Sequence, residues 1–136
     1  MPVAVRIVSV EASLFEGEAD FLLCRGLEGE LGVLPGHAPL MTVLKPGELL
    51  LRSGGEEQHL FVGGGFLEVL PDRVTVLADV AERAEEINEP AAEEARKRAQ
   101  ERLSGELSAD EQREMEMLLE QAEARLRLAR MRRQRS

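Results

Sequence analysis

The 136-residue chain is 43% hydrophobic and 32% charged with a formal net charge of -9, a composition that builds one compact domain with an appendage and excludes both a disordered chain and two large domains. Four Phe with no Trp or Tyr leave the core to aliphatic side chains, and the single cysteine, Cys24, excludes an internal disulfide and points to a reducing, intracellular setting. No run approaches the roughly 18 apolar residues of a membrane span, and the opening MPVAVRIVSVEASLF lacks the charged, apolar and cleavable regions of a secretion signal, so a protein soluble by itself is expected.

To about residue 80 the apolar residues come in short runs: VAVRIVSV, DFLLCR, ELGVLPG, LKPGELLLRSGG, QHLFVGGGFLEVLPD and RVTVLADV. Strands of this length, punctuated by Gly, Pro, Asp and Ser at intervals of about ten residues, predict an antiparallel β-sandwich of about ten strands in two sheets. Val3, Val5 and Ile7 form one apolar face of the first strand. The segment GELGVLPGHAPL, residues 29 to 40, concentrates glycine and proline around His37 and so holds a defined turn. GGG at 63 to 65 lacks the Lys-Ser/Thr ending of a phosphate loop and predicts a bulge or a close backbone approach. LPDRV, from Leu70, reads as a tight turn.

The period changes in AERAEEINEPAAEEARKRAQERL, where Asn88 and Pro90 read as a cap and a first-turn proline. Ala92, Ala95, Ala99 and Leu103 then share one face. SGELSADEQ interrupts the pattern, and Ser108 with Glu111 completes a capping box for a second helix that meets no Gly or Pro before Ser136. The expected organisation is a sandwich over 1–86 and an antiparallel α-helical hairpin over 87–136, with helices at about 90–103 and 109–133. The hairpin seam, met from the second helix by Met115, Leu118 or Leu119, Ala122, Leu126 and Ala129, is alanine-rich. A methyl-sized group contributes only about 0.8 kcal/mol on burial against 1.5–3 for Leu or Met, so marginal stability is expected.

Residues 1–88 hold 15 acids and 6 bases, residues 89–123 hold 11 and 5, and residues 124–136 hold six arginines and no acid. A basic tip on an acidic body suits a negative partner. Phosphate backbones are one such partner, although without Tyr or Trp the tip has no base-stacking platform. Leu126, Leu128, Ala129 and Met131 between the arginines suit a protein groove instead. Cys24 and His37 are the raw materials of a nucleophile and a base, yet FLLCR reads as a buried run. His37 and His59 share no metal-ligand spacing, and no catalytic constellation or metal site is expected.

EGELGVLPGHAPLMTVLKPGEL followed by FVGGGFLEVLPDRVTVLADVAERAEEI resembles the epsilon-subunit family of bacterial and chloroplast F-type ATP synthases, densely from Val5 to Arg98. The resemblance implies a non-catalytic central-stalk subunit that joins the gamma subunit to the membrane c-ring. It also implies a peripheral place at the cytoplasmic face of the cell membrane, a monomer when isolated and no binding of nucleic acid. It further implies ring contact through Glu30, Leu31, Gly32, His37, Ala38 and Pro39. The helical hairpin is implied to inhibit ATP hydrolysis by extending toward the catalytic beta and alpha subunits, which Arg125, Arg127, Arg130, Arg132, Arg133 and Arg135 would meet. Family members that bind ATP carry Ile/Leu-Asp-x-x-Arg-Ala at the start of the first helix. Here that stretch is degenerate, with Ile87 and Ala92 kept but Asn88 and Ala91 in place of the charged pair. No cofactor is expected to be required, and ATP affinity is expected to be weak or absent, with Arg96, Arg98 and the arginines of the second helix as partial substitutes.

Overall fold

The computed structural model describes residues 2–135, with side chains through residue 134. The strands are β1 (Val3–Ser9), β2 (Ser13–Ala19), β3 (Phe21–Gly26), β4 (Gly29–Val33), β5 (Leu40–Ser53), β6 (Glu56–Leu70), β7 (Arg73–Ala78) and β8 (Ala81–Arg83). A 3-10 turn, Ala84–Glu86, and two helices, α1 (Glu89–Leu103) and α2 (Ala109–Arg135), follow. The chain divides into two compact units between Arg83 and Ala84.

The first unit is a β-sandwich folded from one continuous ladder, β2-β1-β7-β6-β5-β3-β4, with β8 on β6. Its pairs are antiparallel except β1 with β7, which run parallel. About ten strands were expected and eight form, because β5 and β6, 14 and 15 residues long, each run through a bend that would otherwise separate two strands. The bend is visible in the parity of burial. In β5, Leu44 is buried on an even position, whereas Leu49 and Leu51 are buried on odd ones; in β6, Leu60 and Val62 give way to Leu67 and Val69. Both parities change at the same place in register, Pro46 opposite Gly63 and Leu44 opposite Gly65. A strand shows alternate faces to the core, so a shared parity change lets one hairpin serve both layers.

Residue chemistry fixes where that change falls. Gly65 has φ +133°, and a Cβ there would lie 2.1 Å from the Leu77 carbonyl oxygen, so this position excludes any side chain. Pro46 cannot donate to a ladder, and β5 bulges around it against β3, the register jumping from Leu23 opposite Leu50 to Gly26 opposite Leu44. Between the layers Val3, Val5, Ile7, Leu22, Leu51, Leu60, Leu67 and Val76 form an aliphatic core with Cys24 at its side, in keeping with the sequence pattern.

The second unit is the helical hairpin. Asn88 Oδ1 accepts from the Ala91 N–H at 3.0 Å and Pro90 sits in the first turn of α1. Ser108 and Glu111 bond reciprocally, each backbone N–H donating to the other's side chain at 3.1 Å. The α1 face buries Ala92 and Ala99, with Ala95 and Leu103 half-buried. From α2, Gln121, Ala122, Ala124, Leu126 and Leu128 are buried, a wider stripe than the single seam expected. Leu118 is exposed and Met115, Leu119 and Ala129 half-buried, so burial of α2 is concentrated in its C-terminal half.

Candidate functional surfaces

Two regions hold the residues singled out from the sequence. In the first, β3 and β4 are joined by a two-residue loop, Leu27 and Glu28, between paired Gly26 and Gly29, with Gly29 at φ +122°. Glu30, Leu31 and Gly32 lie on β4. Glu30 is exposed opposite Arg25, and Leu31 is half-buried with its carbonyl accepting from Cys24 Sγ at 3.8 Å. Gly32 lies against the Phe21 ring, where a Cβ would come to 3.2 Å. After β4 the chain makes a tight turn, the His37 N–H donating to the Leu34 carbonyl at 3.1 Å. Pro35 and Gly36 take its two central places, Gly36 at φ +84°, the arrangement of a type II turn. His37 Nδ1 lies 2.7 Å from the Ala38 carbonyl; a carbonyl only accepts, so Nδ1 carries the hydrogen. Ala38 and Pro39 are exposed.

An open groove beside this turn is lined by Leu27, Glu28, Glu30, Leu31, Met41 and Thr42 among others. It takes Glu30 and Leu31 from the expected set and leaves out His37, Ala38 and Pro39. Leu27, Leu34 and Met41 are 57%, 60% and 67% exposed, an apolar content that sequence reading missed because each belongs to a run that otherwise reads as core.

The outer face of the same sandwich carries a second feature that needs the register to be seen. Val43 pairs with Phe66, Phe66 with Leu77, and Leu77 with Val8, which sets four apolar side chains in a row across four strands. Phe66 and Leu77 are 52% and 55% exposed. Val43 is 39% exposed and Val8 half-buried, so the row leaves contiguous apolar surface open on this face.

The second region is the far end of α2. Arg127, Arg130, Arg132 and Arg133 are exposed and Arg125 is half-buried; the side chain of Arg135 lies outside the described residues. Arg130 bridges two acids of α1, Nε to Glu89 Oε1 and Nη2 to Glu93 Oε2, each at 3.3 Å, and Arg133 reaches Glu89 Oε1 at 3.2 Å. Arg96 pairs with Glu93 and bonds Gln100, and Arg98 pairs with Glu94. The Arg96 hydrogen bond is the main cause holding the Glu93 carboxyl below the usual glutamate range. Acids at the start of α1 and bases at the end of α2 also complement both helix dipoles.

Of the degenerate ATP segment, Asn88 spends its side-chain oxygen on the α1 cap, Ala92 is buried, Ala91 is exposed and Ile87 is half-buried. Ile87 lines a shallow cleft with Glu85, Glu89, Arg132 and Arg133, so acids and bases face the same space. Cys24 is buried, and burial pushes its thiol up to about 11, which leaves no thiolate for nucleophilic chemistry near neutral pH. Among the described residues no group of His, Cys, Asp and Glu is placed to hold a metal.

Two family descriptions cover the chain: "ATP synthase, Delta/Epsilon chain, beta-sandwich domain" over residues 2–84 and "ATP synthase, Delta/Epsilon chain, long alpha-helix domain" over residues 85–130. Among curated relatives, the ATP synthase epsilon chain of Acidithiobacillus ferridurans is 47% identical over 96% of this chain and 89% of its own length. That of Herpetosiphon aurantiacus is 43% identical over 99% of both. Among solved structures, a chain of the Euglena gracilis mitochondrial ATP synthase OSCP/F1/c-ring assembly aligns with a TM-score of 0.77 at 25% identity, over 90% of this chain and 78% of that one. A chain of the Tetrahymena thermophila central stalk and c-ring shares the fold alone, with a TM-score of 0.55 at 14% identity over 63% and 69%.

Proposed function

We take as premise that the chain belongs to the ATP synthase delta/epsilon family, and we propose that it works as a rotor adaptor carrying a regulatory arm. As an epsilon chain of the central stalk it is a non-catalytic subunit of the complex. Its neighbours are those named for the Euglena and Tetrahymena assemblies, the c-ring and the central stalk, and the gamma shaft is the stalk partner. The turn at Leu34–His37 meets the ring with Glu30, Leu31, Gly32, His37, Ala38 and Pro39, joined by Leu27 and Met41 of the adjoining groove. A turn already fixed by Pro35 and Gly36 loses little entropy on docking. The row Val43, Phe66, Leu77 and Val8 is the apolar face offered to the shaft. Docked in this way, the chain is a peripheral subunit at the cytoplasmic face of the cell membrane, and isolated it is a monomer.

The hairpin is the inhibitory arm. Extended, its arginines, from Arg125 to Arg135, meet acidic segments of the catalytic beta and alpha subunits and stop rotation in the hydrolytic direction. The observation that carries this reading is the division into a sandwich with its own aliphatic core and a separate helical pair with an arginine-only tip. No cofactor is required. ATP binds weakly or not at all, because Asn88 is committed to the cap and Arg96 and Arg98 to acids of α1. Titration calorimetry with MgATP tests this, and a micromolar dissociation constant would overturn it. The arm is tested by removing residues 89–136 and reconstituting the complex: assembly and coupling persist and ATP hydrolysis rises. Unchanged hydrolysis would remove the inhibitory role.

A further inference from the structure

The five side chains Arg133, Glu89, Arg130, Glu93 and Arg96 form one connected chain of ion pairs at the open end of the hairpin, where the first turn of α1 meets the last turns of α2. Each carboxylate is shared, Glu89 between Arg130 and Arg133, and Glu93 between Arg130 and Arg96. Glu89, Arg96 and Glu93 are the more sheltered members, 26%, 27% and 28% exposed, while Arg130 and Arg133 are 51% and 67% exposed. Isolated surface pairs contribute little, but a network in which each charge serves two partners holds its geometry better. The remainder of the buried seam is mostly alanine, so these pairs are a large fraction of what closes this end.

We infer that Glu89 and Glu93 are an internal acidic decoy, a clasp that occupies Arg130 and Arg133 in the closed hairpin, so that closing the hairpin and docking those arginines on an acidic protein surface exclude one another. This rests on the reading of the hairpin as an arm and adds the element that sets its balance. The geometry favours competition, since Arg130 turns Nε toward Glu89 and Nη2 toward Glu93 and Arg133 is held on Glu89, so neither planar fork can present its paired edge to an outside carboxylate without leaving α1. Salt weakens the clasp and an external acidic surface alike, so ionic strength acts on the hairpin even without a partner.

The test is a double-mutant cycle on the full chain, read by amide exchange in residues 119–134. E89Q/E93Q raises exchange there about three- to tenfold at low salt, the order expected of losing a small, partly exposed ion-pair network, and R130Q/R133Q raises it in the same direction. The fourfold variant shows no more than E89Q/E93Q alone, because the two glutamate substitutions already remove every contact that Arg130 and Arg133 make to α1 in this network. Additive effects would overturn the clasp. Competition is read separately with a ten-residue polyglutamate peptide: E89Q/E93Q binds it several-fold more tightly than the native chain, beyond a charge-matched E106Q/E114Q control. Equal gains in both variants would overturn the decoy. Hydrolysis by the reconstituted complex distinguishes the two readings, since rates that ignore E89Q/E93Q while exchange shows the non-additive cycle reject the inhibitory arm and leave the clasp standing.

Discussion

The sandwich and the hairpin solve the problem of staying folded with different materials. Inside the sandwich the buried positions are mostly valine, leucine and isoleucine, each contributing about 1.5–3 kcal/mol, and the bend of β6 is fixed at Gly65, which accepts no substitute. Inside the hairpin the buried positions are alanines with Leu126, Leu128 and Gln121, and closure leans on caps and ion pairs that solvent reaches. One region keeps a shape under load because many close contacts would have to fail together. The other has contacts of a kind that water, salt or another protein can replace, which is what a two-state element needs.

The comparison is broken most severely at Gly65. Gly65→Ala combines backbone strain with a contact against the Leu77 carbonyl and is expected to cost about 4 kcal/mol, measured by urea unfolding of the sandwich followed by circular dichroism. Leu126→Ala removes one of the two buried leucines of the hairpin and lowers its stability by about 2–4 kcal/mol while the sandwich transition stays in place; a sandwich that weakens equally would erase the distinction. Ser108→Ala deletes one half of the capping box and costs about 1 kcal/mol, seen as faster exchange at the start of α2.

Acid gives the smallest effect and sharpens the contrast. Glu93 is held below its ordinary value chiefly by the Arg96 hydrogen bond, and Glu111 by hydrogen bonds from Ser108. A carboxyl whose folded value is depressed stabilises the fold above its ordinary value, about 4.3, and the contribution fades as the pH falls through the lower folded value. Helical signal is therefore expected to decline as the pH falls below about 4.3, before the sandwich unfolds, as followed by circular dichroism.

Local chemistry was legible in the sequence. Asn88, Ser108 and Glu111 act on residues three positions away, and the turn at Leu34–His37 is written in Pro35 and Gly36, so a short window holds cause and effect together. The parity of Val3, Val5 and Ile7 and the close approach at Gly63 to Gly65 were legible for the same reason. What register decides was not legible. Val43, Phe66, Leu77 and Val8 become neighbours only when β5, β6, β7 and β1 are paired, and Arg130 meets Glu89 only when the hairpin closes across 41 residues. The strand number was legible to within the two long strands β5 and β6, because a bend inside one strand and a break between two strands use the same glycines and prolines. Gln121, Ala124 and Leu128 escaped the seam because an alanine-rich helix has no sharp apolar edge from which to read its width.

The central claim, that the hairpin opens while the sandwich stays shut, is tested most directly by thiol labelling in the full chain. Ala99 is 3% exposed in the helical pair and Cys24 is 3% exposed in the sandwich. In the Ala99→Cys variant the introduced thiol is expected to react with a disulfide reagent at least about tenfold faster than Cys24, through local opening. Reaction of both at one rate, set by unfolding of the whole chain, would contradict the account.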